Sequence, residues 1–178
     1  MRALRWIILG AVMAIGAGAL VLRQMSLEDT PPPLPPGAKA DAILIEKAAH
    51  RMSLLRDGKV LATYRVSLGS GGLAPKRREG DRLVPEGSYF IEGRNPKSAY
   101  HLSLKISYPS PADRKAAAKR GEPPGGDIMI HGLPNGLGWV GPAQKLGDWT
   151  AGCIAVTNAE MDVIWRVVPD GTPVEIRA

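Results

Sequence analysis

The chain has 178 residues, enough for one domain with a hydrophobic core. Its hydrophobic content of 44% and charged content of 22% are ordinary for a globular protein and exclude a chain that is disordered throughout. The formal net charge of +6 suits an anionic partner, but no run of lysine and arginine is interleaved with aromatic residues. We therefore interpret clusters such as Lys76-Arg77-Arg78 as solvated surface and expect no nucleic-acid partner.

The first predicted element is a membrane segment at residues 1–23. Arg2 and Arg5 precede an uncharged run, residues 6–22, and Arg23 follows it. Its 17 residues are at the short limit for a membrane-spanning helix and at the long limit for a signal-peptide core. Basic residues before such a run favour an N-terminus inside the cell. We expect an N-terminal anchor, or a cleaved signal peptide, with the rest of the chain in the cell envelope, on the outer face of the inner membrane.

A proline-rich linker is predicted at residues 24–40. Its sequence at 30–38, "TPPPLPPGA", is dense in proline, and such segments stay extended and semi-rigid. We expect the linker to hold the domain at residues 41–178 away from the membrane.

Residues 41–178 predict a mainly β domain. Residues 41–68 read as two or three strands with a hairpin turn at Asp57-Gly58, and a glycine-rich loop at 69–87 follows. Further strands are predicted at residues 88–94, 100–108, 126–132 and 174–176.

Two short helices interrupt the strands. One is predicted from Ser110 to Arg120, with a serine N-cap, proline at the first position and Gly121 after the end. Its place before the strand at 126–132 makes it a candidate lid. The second begins with a capping-box pattern, Thr157 to Glu160. Its apolar face consists of Met161, Ile164, Trp165 and Val168.

The residues that suggest chemistry are Cys153 and His131. Cys153 is the only cysteine, so it cannot form an internal disulfide; it is either a buried small hydrophobe or a reactive thiol. His131 lies 22 positions earlier, at the end of a predicted strand. Thiol catalysis needs a base and donors for an oxyanion, and Gly152 leaves room for a substrate carbonyl. The sequence supplies no further ligands in a zinc pattern, so we expect no metal and no cofactor.

The segments "IHG" at 130–132 and "TAGCIAVTN" at 150–158, read together, resemble the L,D-transpeptidase catalytic domain, also called the YkuD-type domain. The resemblance extends over roughly residues 41–177 and includes the upstream stretches "LLRDGKVLATYRVSLG" and "EGDRLVPEGSYFI". It implies a β-sandwich or barrel domain with one or two short helices.

The resemblance also implies roles for residues. Cys153 matches the nucleophile and His131 its base and later acid. Gly132 shapes the turn that aims the imidazole, and Gly152, Gly132 and Thr150 are the candidates for substrate binding and oxyanion stabilisation. The implied activity is that of a cysteine L,D-transpeptidase on peptidoglycan stem peptides, in cell wall biogenesis and remodelling.

Two positions depart from the family's pattern. The residue before Gly-Cys is usually histidine and here is Ala151; the residue after Cys-Ile is usually arginine and here is Ala155. Neither alanine can donate a side-chain hydrogen bond or hold a carboxylate. Because the cysteine and histidine are kept, the resemblance still implies an acyl-enzyme, but its acceptor is open. The alternatives are an L,D-carboxypeptidase, an amidase and a non-catalytic wall-binding module.

Further candidates come with structural alternatives. Tyr100 and His101 are candidates to line a substrate cleft, or they pack within a strand. Trp139 and Trp149 are candidates for a wall of the groove that binds the acyl donor, or they belong to the core. Asn158 ties the cysteine loop to the next helix or is simply part of that helix start.

Overall fold

The computed structural model describes Thr30, Pro31 and residues 33–178, of which Pro31 and residues 33–178 form a compact unit. The predicted membrane segment at residues 1–23 and the first part of the predicted linker lie outside the described residues. Within the described part, no helix has the length and apolar character that crossing a membrane would require.

The described residues form one mixed sheet of eight strands in the order β3-β2-β1-β8-β4-β5-β6-β7. Neighbouring strands are antiparallel except for β1 with β8 and β6 with β7, which are parallel. The strands are β1 (Ala42–Glu46), β2 (Arg51–Arg56), β3 (Lys59–Arg65), β4 (Gly87–Ser98), β5 (His101–Ile106), β6 (Met129–His131), β7 (Ile154–Ala155) and β8 (Pro173–Arg177).

Strand β4 bends the sheet because it belongs to both halves. Its first residues pair with β8, whereas the part from Ile91 onward pairs with β5 through two irregularities in register. The chain beyond β3 then meets the far end of the sheet, where Ser67 exchanges two backbone hydrogen bonds with Ala155, of 3.0 and 2.8 Å. The sheet is therefore a half-barrel whose two ends approach each other beside β7.

Two α-helices and one 3₁₀ segment complete the fold. Helix α1 (Pro111–Arg120) and helix α2 (Asn158–Val167) each begin with a capping box, Ser110 with Asp113 and Thr157 with Glu160. Gly121 ends α1 in the left-handed conformation, φ 68°. The 3₁₀ segment Gly138–Leu146 is broken by a kink at Gly141.

The core lies between the inner face of the sheet and α2. The inner faces of β1 and β2 bury Ile43, Ile45, Met52 and Leu54. Helix α2 presents Met161 and Ile164, both fully buried, while Trp165 packs at the margin under the Arg94 guanidinium at 4.7 Å.

These elements confirm the mainly β class and both helices with their caps. Residues 41–68 contain three strands, and the predicted hairpin turn has positive φ at Asp57 (51°) and Gly58 (72°), as a type I′ turn requires. The strand predicted at 88–94 is longer, since β4 continues to Ser98. Strand β7 and the 3₁₀ segment carry no pattern that predicted them.

The described part of the predicted linker packs against the domain. The Ala40 N–H donates to the Val167 carbonyl at 2.8 Å, and Lys39 Nζ donates to the Arg166 carbonyl at 2.7 Å. Leu34 packs on the margin of the core. The end of this segment therefore lies along α2.

Candidate active site

A pocket of about 310 Å³ lies over strands β6 and β7. It brings together residues that are far apart in the sequence, including both residues of the predicted thiol–imidazole pair. Its walls include Tyr100, His131, Trp149, Thr150, Ala151 and Cys153. The two predicted catalytic side chains therefore share one cavity.

The register of the strands explains why Cys153 and His131 line the same pocket. β6 and β7 are parallel, with Ile130 opposite Ile154 and His131 opposite Ala155. Ile130 and Ile154 are fully buried and point into the core. Because side chains alternate along a strand, His131 and Cys153, each next to one of these isoleucines, face the other side. The pocket lies on that side.

The imidazole of His131 is held in one orientation. Its Nδ1 lies 2.7 Å from the Gly132 carbonyl oxygen, which can only accept, so Nδ1 carries the proton and Nε2 is the basic atom. The ring packs against both Tyr100 and Trp149, with centroid distances of 4.5 and 5.8 Å, and these two rings lie 6.4 Å from each other. Burial lowers the pKa of His131, and the bond to Gly132 offsets this only in part. His131 is therefore a neutral base at neutral pH.

The Cys153 thiol is half-buried and donates to the Asp127 carbonyl oxygen at 3.5 Å. Burial is the largest influence on the pKa of the thiol and raises it, and the Asp127 carboxylate raises it further. A hydrogen bond from the Met129 backbone and the charge of Lys76 lower it. The net shift of the pKa is upward. A raised thiol pKa beside a lowered imidazole pKa favours a neutral pair. These directions favour a thiol and a neutral base in the resting site.

The turn at residues 150–153 is built around one hydroxyl. Thr150 Oγ1 donates to the Cys153 carbonyl at 2.8 Å and accepts from the Gly152 N–H at 3.2 Å. Gly152 has φ 123°, and a Cβ there would lie 2.8 Å from the Leu83 carbonyl oxygen. Only glycine fits this position. Thr150 and Gly152 therefore set the position of the cysteine.

The loop after His131 is tied to helix α2 by Asn158. Asn158 Oδ1 accepts from the Leu133 N–H at 2.8 Å, and a Cβ on Gly132 would lie 2.7 Å from the same oxygen. The structure thus links Asn158 to the histidine loop, where sequence reasoning expected a link to the cysteine loop.

The other predicted candidates divide between the pocket and the surface. Tyr100 and Trp149 line the pocket, whereas Trp139 is 81% exposed and belongs neither to it nor to the core. His101 pairs with Asp162 at 2.7 Å, outside the pocket. No residue of α1 lines the pocket among those the structure describes, so the helix shows no lid contact.

Two charged residues of the pocket were missed. Arg82, from the loop after β3, and Asp127, before β6, both line it. Both have positive φ, 57° and 54°. Arg82 stands close to Arg77 and Arg78 in the sequence, and no local pattern distinguishes it from them. Among residues 33–178, no group of three or more His, Cys, Asp and Glu side chains is placed to hold a metal.

Comparison with known proteins assigns this architecture. The family model "L,D-transpeptidase catalytic domain" (YkuD) matches residues 40–176. The Escherichia coli (strain K12) protein named "Putative L,D-transpeptidase YafK" is 32% identical over 113 residues, which are 62% of this chain and 38% of that protein. The chain therefore spans well under half the length of this curated relative.

Solved structures show the same fold. The helical cell shape determining protein Pgp2 from Campylobacter jejuni aligns with a TM-score of 0.58 at 24% identity, over 79% of this chain and 48% of that one. An L,D-transpeptidase from Xylanimonas cellulosilytica aligns with a TM-score of 0.51 at 18% identity, over 82% and 64%. With the family match over most of the chain, these findings show that the protein belongs to the family of YkuD-type L,D-transpeptidase catalytic domains.

Proposed function

We propose that the chain is a cysteine-dependent L,D-transpeptidase that acts on peptidoglycan stem peptides through an acyl-enzyme on Cys153. The observation that carries the proposal is the shared pocket of Cys153 and His131, with the histidine Nδ1 committed to Gly132 and Nε2 basic. Family membership supports a peptide of the bacterial cell wall as substrate.

The first half-reaction forms a thioester. His131 Nε2 accepts the thiol proton as Cys153 Sγ attacks the carbonyl on the L-side of an L,D peptide bond, that of diaminopimelate before a terminal D-alanine. The tetrahedral intermediate collapses, the C–N bond breaks, and the imidazolium gives its proton to the leaving amine. D-alanine departs and the tripeptide acyl group stays on sulfur.

The second half-reaction passes the acyl group on. A side-chain amine of a neighbouring stem attacks the thioester, its proton goes to His131, and the thiolate leaves as the new amide bond forms. The thiolate then takes the proton back from the imidazolium. Water in place of the amine gives the carboxypeptidase outcome, with the same first half-reaction.

The neutral resting pair fits this sequence. The thiol donates to the Asp127 carbonyl in the resting structure, so it must turn to His131 before attack. We assign Thr150, Gly152 and Gly132 to the shape of the oxyanion site. Thr150 and Gly152 orient the turn that carries the backbone N–H of Cys153, and Gly132 orients the base.

We place the domain in the cell envelope, where peptidoglycan is found, with residues 1–23 as its anchor or signal peptide. Separation of membrane and soluble fractions of cells that make the full chain tests this placement. Recovery of the full chain only from the cytosol would contradict it.

Incubation of the full chain with disaccharide tetrapeptide tests the activity, with products followed by mass spectrometry. We expect release of D-alanine and a cross-linked dimer. Cys153→Ala should abolish both products, and Trp139→Ala, at an exposed position outside the pocket, should leave them unchanged. Free tripeptide without dimer would identify the hydrolytic alternative. Sacculus binding that is unchanged in Cys153→Ala, without turnover of any peptide, would identify a non-catalytic wall-binding module.

A further inference from the structure

The charges of the catalytic pocket are unevenly distributed. Among the residues that line it, Arg82 carries the positive charge and Asp127 the negative charge. Ala151 and Ala155 have no polar side-chain atom, and Ala155 is fully buried. The cationic contact that the pocket offers to a ligand therefore comes from Arg82.

The Arg82 backbone is held in an uncommon conformation. Its φ of 57° lies in the left-handed region, which residues other than glycine rarely adopt. The Arg82 carbonyl accepts from the Gly71 N–H at 3.0 Å. The preceding Asp81 carboxylate accepts from the N–H groups of Arg77 and Leu83 at 2.8 and 3.1 Å. Such conformations persist only where the surroundings impose them, and they cluster at binding sites.

The Arg82 guanidinium is available to a ligand. The residue is exposed, and its recorded side-chain contact is a long one, 3.4 Å from Nη1 to the neutral hydroxyl of Ser70. Among the residues that the structure describes, no carboxylate lies within ion-pair distance of Arg82. Arg78, on the same loop, lies 3.8 Å from Glu122. Arg82 thus combines a fixed backbone with an unneutralised charge.

We propose that Arg82 binds a carboxylate of the acyl-donor peptide and thereby selects and orients the donor at Cys153. The inference rests on the proposed function, since it takes the donor to be a stem peptide. Such a peptide carries a carboxylate at its chain end, another on the diaminopimelate side chain and a third on the D-glutamate residue, which is linked through its γ-carboxyl. The planar guanidinium matches a carboxylate with two parallel hydrogen bonds. Asp127 repels a carboxylate, so the two charges together fix one direction for the bound peptide.

Donor peptides that differ in one group test this assignment. Four donors are needed: the free tetrapeptide, and the same peptide with a carboxamide at the chain end, on the diaminopimelate side chain or on the D-glutamate. Arg82→Ala should raise KM for the free peptide by about 10- to 100-fold with little change in kcat, the size of a lost charged hydrogen bond. The variant should show no such penalty on the donor whose bound carboxylate is amidated, which identifies the carboxylate.

The matched control is Arg78→Ala, which removes an equal charge from the same loop outside the pocket. It should leave KM unchanged, and Arg82→Lys should restore part of the affinity. Equal losses on all four donors, or none on any, would overturn the assignment.

Direct binding separates this inference from the proposed function. Titration calorimetry on Cys153→Ala, with and without Arg82→Ala, measures donor affinity without turnover. A loss of affinity for the free peptide in the double variant supports the Arg82 contact even if the wild-type chain shows no transfer. Equal affinities of the two variants overturn the contact even if the wild-type chain is active.

Discussion

Two walls of the pocket are built on different principles. The strand wall, β6 with residues 150–155, carries His131 and Cys153 beside fully buried isoleucines. The loop wall, residues 69–86, carries Arg82 and is held by ion pairs. Lys76 Nζ lies 2.7 Å from Asp81, with side chains 4% and 9% exposed, and Lys47, fully buried, lies 2.8 Å from Glu86.

This difference matches two different roles, thiol chemistry at the strand wall and peptide recognition at the loop wall. A thiol and a neutral imidazole need a dry, uncharged support, because burial is what keeps the imidazole unprotonated. Recognition of a charged peptide needs a charged side chain in a fixed position. A loop lacks the hydrogen-bond ladder of a strand, so other contacts must order it. Two buried lysines, Lys76 and Lys47, order the loop wall through ion pairs with its carboxylates, Asp81 and Glu86.

The largest effect is expected on the strand wall. His131→Ala removes the proposed base, and turnover of the tetrapeptide should fall by about 10²- to 10⁴-fold. His101→Ala is the control, since His101 pairs with Asp162 outside the pocket. Steady-state kinetics on both variants measures the change. Turnover of His131→Ala close to that of the wild type would remove the histidine from the mechanism.

A large effect on stability is expected on the loop wall. Asp81→Asn leaves Lys76 buried without its partner and should lower the free energy of unfolding by about 3–5 kcal/mol. Urea unfolding followed by circular dichroism measures this loss. Lys76→Met combined with Asp81→Asn, which removes both charges but keeps a side-chain oxygen for the backbone N–H groups of Arg77, Arg78 and Leu83, should recover much of it. A destabilisation equal in the single and double variants would contradict a role for the pair.

The Asp81 carboxylate also makes the stability of the fold depend on pH. Burial acts to raise the pKa of Asp81, but hydrogen bonds from Arg78, Lys76, Arg77 and Leu83 outweigh it and lower the pKa to about 2. A folded-state pKa below the unfolded value of about 3.9 stabilises the fold above pH 4. That contribution is lost as the pH falls from about 4 towards 2. Asp81→Asn should show a shallower loss of stability over this interval.

A smaller effect is expected at the turn of the strand wall. Thr150→Val keeps the shape of the side chain but removes its hydrogen bonds to Gly152 and Cys153, so kcat should fall by about tenfold and stability by about 1–3 kcal/mol. Thr63→Val, outside the pocket, removes a long hydrogen bond of 3.4 Å to Ser53 and should leave kcat unchanged. A kcat unchanged in Thr150→Val would show that the hydroxyl does not position the cysteine.

The smallest effect is expected at the negative rim of the pocket. The Asp127 carboxylate contributes to the raised pKa of the Cys153 thiol, so Asp127→Asn should lower that pKa. The rate of iodoacetamide alkylation against pH measures it, with Asp170→Asn, which pairs with Arg94, as control. A midpoint displaced to higher pH would contradict the sign.

Strand β6 and the two pocket residues Cys153 and His131 were predictable from the sequence, whereas β7 and the loop wall were not. Short local patterns predict the positions of Cys153, His131 and Gly132. The same holds for the capped helices and the Asp57-Gly58 turn. Arg82 reaches the pocket only because the loop wall is folded back by contacts such as Gly71 with Arg82. Asn158 stands next to the cysteine loop in sequence, yet its partner is Leu133, which depends on the packing of α2.

The central claim is that Cys153 becomes acylated by a wall peptide. Acid quenching of the full chain during turnover of disaccharide tetrapeptide, followed by digestion and mass spectrometry, tests it most directly. The account predicts a disaccharide-tripeptide thioester on the peptide that contains Cys153, absent from Cys153→Ala. Product formation by Cys153→Ala, or an adduct on any other residue, would contradict it.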